Sequence, residues 1–313
     1  MEFIFANLSV ESDPGENENV DTNTTSVDPR PTNHVVPELL PQEENTTHVR
    51  IPVGDARHLE LMQYIHRHEK RGVFSTAWDG GLGLICYISD VYGHDWKHVT
   101  VLDIGAGTGL VGLGAAVASQ GKAVVAVTDL LPAIPLLHAN INLNQNHWSS
   151  GGEHTCCQPE AKVLEWGKPI SKYWLRQFLD QASLMTPGEE RTVLITGADV
   201  VYRKSLFEPL LAMLCELTSR VREFTVKKTT KLECVLAVQA IRTHLDHFWE
   251  MARKNGFSVE LIATVELDKK DKLQISDASV QLLDEQHRQL PPVMNTNRDE
   301  GLIWIVRLRK MPY

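Results

Sequence analysis

Residues 101–116 read VLDIGAGTGLVGLGAA, an apolar run that ends on an acid and is followed by glycines at 105, 107, 109 and 112. This is the layout of a buried strand, a tight turn and a helix whose N-terminus faces a ligand. Gly105, Gly107 and Gly109 let backbone approach that ligand closely, with no side chain in the way. Asp103 closes the strand, where a carboxylate can receive a ligand ammonium directly or through backbone and water. Asp129 closes the next apolar run, VAVTDL, 20 residues after Gly109. An acid so placed accepts hydrogen bonds from ribose hydroxyls. The dinucleotide pattern GxGxxG is not met, because Leu110 stands at its third glycine. A carboxylate beside the turn disfavours a pyrophosphate and favours a ligand with an amino-acid end. S-adenosyl-L-methionine carries an ammonium, a ribose and a sulfonium, so the stretch reads as a methyl-donor cradle. A strand–helix turn with no ligand is the plainer alternative.

The elements that must hold these residues alternate along the chain. Apolar runs at HVTVLDIG, KAVVAVTDL, EAKVLEWG, RTVLITGADVVY and KLECVLAVQA are separated by helical patterns. The helices are expected over Leu110–Ser119, PAIPLLHANINLNQ, Ser205–Thr218 and HLDHFWEMARKNG, the last stopped by a glycine. FSVELIATVEL and GLIWIVRLRK form a final pair around a long polar insertion over 268–300. Upstream, GGLGLICYISDVYG has helical spacing despite its glycines, and LELMQYIHRH fits an edge strand or a short helix. Continuous apolar strands alternating with helices predict an α/β fold. The expected architecture is a seven-stranded, mostly parallel sheet, with helices on both faces and a C-terminal antiparallel hairpin.

Charge divides the chain. Residues 1–50 carry ten acids and two bases, leaving −1 of the total −9 for the remainder. The first 50 residues are acidic and aperiodic and are expected to be a disordered tail; residues 51–313 are expected to form one domain. A near-neutral folded part does not suit a general nucleic-acid binder. Five cysteines without a CxxC pair or metal-ligand spacing predict free thiols, a reducing compartment and no metal site. MEFIFANLSV lacks a basic n-region, and no run approaches the roughly 20 apolar residues of a membrane span. A cytoplasmic location, with the nucleus as a second, is the expectation.

AWDGGLGL, VLDIGAGTGLVGL, VAVTDL, HANINLN, AKVLEWG and ADVVYRKSLFEPLL together carry a resemblance. From about Ser75 to Pro209 the chain resembles the seven-strand protein-lysine methyltransferases of methyltransferase family 16. ADVVY supplies that family's Asp/Glu-x-x-Tyr/Phe motif at the end of the fourth strand of the sheet. The resemblance implies a Rossmann-like class I methyltransferase fold with S-adenosyl-L-methionine as methyl donor. It implies that Trp78 packs on the methionine end of the donor, that Gly105, Ala106 and Gly107 line it, and that Asp129 binds the ribose. Trp166 would lie by the adenine, Ala198 beneath the donor, and Asp199 and Tyr202 would border the transfer site. Ordinary packing roles for Trp78, Trp166 and Tyr202 stand beside these. After the fifth strand the family often shows Tyr-Glu-x-Arg; here the run is VQAIR, and only Arg242 matches. The implied partner is a protein substrate of a monomeric enzyme, with chaperones, ATPases and translation factors as candidate classes.

Methyl transfer from a sulfonium needs an acceptor lone pair in line with the methyl group. A lysine amine, with pKa about 10.4, must first lose its proton. Asp199 can accept from the amine, and Tyr202 can confine it. Transfer to another acceptor (arginine, histidine or a small amine) and a non-catalytic donor-binding module are the competing readings.

Overall fold

In a computed structural model of the chain, residues 46–53, 57–64, 73–93, 95–149, 157–185, 187–225, 230–242, 244–267, 279–289 and 301–311 are described. Five of the strands are mutually parallel: β3 (Val99–Ile104), β4 (Val124–Asp129), β5 (Glu160–Val163), β6 (Arg191–Ala198) and β7 (Thr230–Gln239). β8 (Phe257–Glu266), β9 (Ser279–Leu282) and β10 (Leu302–Lys310) complete the sheet, whose order is β5-β4-β3-β6-β7-β10-β8-β9. β10 enters antiparallel between β7 and β8. Every residue of β3 and of β4 is buried, as expected of strands covered on both faces.

All seven expected strands are present, and the sheet has an eighth. β9 comes from the polar insertion and pairs antiparallel with β8, from Ala263 opposite Leu282 to Glu266 opposite Ser279. A four-residue edge strand leaves too little alternation to stand out from a polar loop. A further hairpin, β1 (Thr46–Pro52) and β2 (His58–Tyr64), forms a separate two-stranded sheet. LELMQY is therefore strand, and Thr46–Arg50 belong to β1. The rest of the expected tail, residues 1–45, lies outside the described residues.

Helices α1 (Asp79–Tyr92), α2 (Leu110–Ala118) and α3 (Ile134–Leu143) pack with the hairpin on one face of the sheet. A short helix, α4 (Asn146–Ser149), follows α3. Helices α5 (Lys172–Met185), α6 (Phe207–Phe224) and α7 (Leu245–Lys254) cover the other face. No helix among the described residues is long and apolar enough to cross a membrane.

The HANINLN stretch has a definite task. Asn140 and Asn144 lie one turn apart on the same side of the α3 end, and each binds the backbone of β2 like a strand edge. Asn140 accepts from the Met62 amide at 2.7 Å and donates to the Met62 carbonyl at 3.1 Å. Asn144 does the same with Glu60, at 2.9 and 2.6 Å. Asn140 Nδ2 also donates to the Thr108 carbonyl at 2.8 Å. One fully buried side chain thus ties the hairpin to the glycine turn.

Candidate active site

The glycine turn, the end of β4 and the end of β6 meet at the carboxyl edge of the parallel strands, where open α/β sheets bind ligands. The turn is left-handed at three positions, with φ of +61° at Gly105, +58° at Gly107 and +86° at Gly109. Glycine takes that conformation without cost from a Cβ. The Ala106 amide donates to the Thr128 carbonyl at 2.9 Å, which fastens the turn to β4. A Cβ on Gly105 would lie 2.9 Å from Trp166 Cζ2 and 3.0 Å from Val200 Cγ1, so the half-buried indole already rests against the turn.

Asp129 Oδ2 accepts from the Gly107 amide at 2.8 Å, and Oδ1 from the Leu130 amide at 2.7 Å. Burial pushes this carboxyl upward, and those two amides pull it back. A carboxylate has about four lone-pair sites, so both oxygens keep capacity for two adjacent hydroxyls.

Asp103 behaves differently from the expectation. Its carboxylate points into the protein, with 1% of the residue exposed. Oδ2 accepts from the Gly112 amide in α2 at 3.0 Å, and Oδ1 from Thr196 Oγ1 in β6 at 2.9 Å. A side chain so enclosed anchors the first turn of α2 and leaves, of the two expected routes to an ammonium, the one through backbone and water. Burial raises its carboxyl to about 7, opposed by the Thr196 and Gly112 hydrogen bonds and reinforced by the Asp129 charge.

This rise has a measurable consequence. A carboxyl with a higher pKa in the folded chain binds more protons there than in the unfolded chain. Its contribution to stability is complete below about pH 4 and is lost as pH rises through about 7. Asp103→Asn keeps the shape and can satisfy both partners without a charge. The variant is expected to match the native chain near pH 4 and to exceed its stability at pH 8 by on the order of 1–3 kcal/mol. Urea unfolding at several pH values measures this; equal stability at pH 8 would show that Asp103 is not strained by its burial.

Asp199 sits at the turn after β6 with φ of +53°, a left-handed conformation uncommon outside glycine. Its amide donates to the Ala237 carbonyl at 2.9 Å. Its Oδ2 accepts from the Gly80 amide in the first turn of α1 at 2.8 Å. Arg242, just past β7, approaches Oδ1 with Nη2 at 3.5 Å. A Cβ on Gly80 would lie 2.4 Å from Oδ2, so only glycine admits the carboxylate at this depth. The double glycine that looks out of place in a helix pattern is explained at its first member by this close approach. Burial pushes the Asp199 carboxyl upward; Arg242 and then the Gly80 amide oppose it, and Asp79 adds to the rise.

Trp78 stands directly before α1, half-buried, with its indole N–H donating to the Val73 carbonyl at 2.9 Å. Ala198 is half-buried at the last position of β6. Tyr202 is half-buried two residues beyond Val200; burial raises its hydroxyl, Arg203 opposes the rise and the Asp129 charge adds to it. The Arg203 guanidinium lies 5.9 Å from the Tyr202 ring centre.

The structure thus gathers Gly105, Ala106, Gly107, Asp129 and Trp166 around one turn, and links Asp199 to the segment at Trp78. It turns Asp103 away and adds Gly80 and Val200. Among the described residues, no group of three His, Cys, Asp or Glu side chains is placed to hold a metal ion.

A family model described as lysine methyltransferase matches residues 58–239, more than half of the chain. The chain belongs to the lysine methyltransferase family. The family match runs from the first residue of β2 to the last of β7 and so takes in every group above except Arg242. The protein N-lysine methyltransferase METTL21A of Danio rerio is 31% identical over 151 residues, covering 48% of this chain and 58% of that one. EEF1A lysine methyltransferase 3 of Mus musculus is 34% identical over 146 residues, covering 47% of this chain and 51% of that one. The chain therefore spans somewhat more than half the length of these curated relatives. Among solved structures, Pyrococcus horikoshii TYW2 in complex with MeSAdo is 15% identical with a TM-score of 0.38, over 86% of this chain and 73% of that one. The fold assignment rests on the strand order described above.

Proposed function

We propose that this chain is an S-adenosylmethionine-dependent methyltransferase whose acceptor is a lysine side chain of a protein. The observation that carries this is the family match across 58–239, on a chain whose glycine turn, Asp129 and Asp199 converge at one edge of the sheet. The residues present fit the donor: a turn left-handed at Gly105 and Gly107 with no side chain at those positions, a carboxylate with spare acceptor capacity at Asp129, and an indole resting against the turn. Bound there, S-adenosylmethionine supplies a methyl group on a sulfonium.

The protein side of the reaction follows from the geometry. Asp129 would orient the donor by its ribose hydroxyls, and the side-chain-free turn would let the donor lie against the backbone. Trp166 and Val200 exclude water from the apolar side of the turn. Asp199 accepts a hydrogen bond from the incoming amine, and Tyr202 limits its approach. Orientation of this kind turns a two-body encounter into a positioned one.

The donor half of the proposal is tested by Asp129→Ala. Ribose hydroxyls left unpaired, together with a Gly107 amide that has lost its acceptor, should weaken donor binding by about 1–3 kcal/mol. That is roughly a five- to 150-fold rise in Kd by calorimetric titration of the full chain. Unchanged affinity with an unchanged melting curve would remove Asp129 from the site.

A further inference from the structure

Arg242 lies outside the matched family region, and the mechanism above makes no use of it. It is nonetheless the one cation that reaches the Asp199 carboxylate among the described residues. Its Nη2 stands 3.5 Å from Oδ1, while the Gly80 amide holds Oδ2 from the opposite side at 2.8 Å. Arg242 Nε is buried and makes no hydrogen bond among the described residues. Its side chain is about a quarter exposed, that of Asp199 only 4%. We infer that Arg242 is a positioning residue: with the Gly80 amide it clamps the Asp199 carboxylate from two sides and keeps it charged and in one rotamer toward the acceptor. This rests on the proposed role of Asp199 at the acceptor.

Asp199 occupies a left-handed backbone position, so its carboxylate is carried on a main chain held by the Ala237 carbonyl and cannot recoil easily. A carboxylate this deeply buried favours its neutral form unless charge or hydrogen bonds oppose the loss of water. The charged groups that face it are Arg242 from the segment after β7 and Asp79 from the first turn of α1, and Asp79 acts in the wrong direction. The N-terminus of α1 helps the anion through its amides, but one amide fixes only one oxygen. Without Arg242, Oδ1 would have no donor among these groups. The carboxyl would then take up a proton at higher pH and rotate.

The test combines a titration with kinetics on the full chain. Aspartate labelled with 13C at the carboxyl carbon gives an Asp199 signal, assigned by its loss in Asp199→Asn. Arg242→Gln is expected to move the Asp199 titration midpoint up by about one pH unit or more, and Arg242→Lys to restore most of the difference. Transfer to the protein acceptor labelled in cell extract should slow by about tenfold or more in Arg242→Gln. Its rise with pH should move upward, while calorimetric affinity for S-adenosylmethionine stays close to native. An Asp199 midpoint that does not move in a folded Arg242→Gln chain would overturn the clamp. So would a moved midpoint with native transfer at every pH. If the midpoint moves but the native chain methylates no protein lysine, the clamp stands and the lysine assignment fails.

Discussion

Replacing Asp199 by Asn is expected to slow methyl transfer by about 10²-fold or more, the scale of losing one positioned proton-handling group. Stability should change by no more than about 1 kcal/mol, because two effects oppose each other. Asparagine tolerates the left-handed backbone at this position at least as well as aspartate and can still accept from the Gly80 amide. It loses the ion pair to Arg242, a 3.5 Å contact with a partly exposed partner, at a cost of about 1–2 kcal/mol, the equivalent of roughly one pKa unit. Against this, the amide carries no charge into a buried site where burial already raises the carboxyl. Donor affinity should change far less than turnover. A variant that transfers methyl at the native rate while melting several degrees lower would make Asp199 a structural residue.

Gly80→Ala is the second large effect expected, and it separates local preference from site geometry. On helix propensity alone the change would stabilise the first turn of α1 by about 1 kcal/mol or less. The added Cβ would lie 2.4 Å from Asp199 Oδ2 and 2.7 Å from its Cγ. The carboxylate must then leave, and the buried Gly80 amide loses its acceptor, at a cost of about 1–3 kcal/mol. The clash outweighs the propensity. Transfer should fall by about 10²-fold with a modest loss of stability, read by melting and by rate on the same preparation. A variant that is both more stable and fully active would show that the depth of Asp199 has no bearing on the reaction.

The central architecture was legible because parallel strands buried on both faces appear as unbroken apolar runs, and β3, β4, β6 and β7 are of that kind. The pieces that were missed are short or polar on one side. β1 and β9 sit in a separate hairpin and at a sheet edge, where apolar content is low. α5 did carry a signal in Leu175, Phe178, Leu179 and Ala182, all buried at helical spacing, within an otherwise polar stretch. Asp103 teaches a finer point. Its position at a strand end was readable; its direction was not, because a strand buried on both faces does not show which side lies under α2, and only the structure places Val99 and Val101 on one face and Leu102 and Ile104 on the other. Period-two alternation places Asp103 with the valines, under α2 and away from the cleft edge. Gly80 was out of reach, because its reason is a carboxylate 119 residues further along the chain.

The most direct test of the account is transfer itself. The full chain is incubated with methyl-labelled S-adenosylmethionine and cell extract, and the labelled residue is identified by peptide mass spectrometry. The account predicts label on the side-chain nitrogen of a lysine in a protein, present with the native chain and nearly absent with Asp199→Asn. Label on arginine, on histidine or only in small molecules, or no label from a chain that binds the donor, would contradict it.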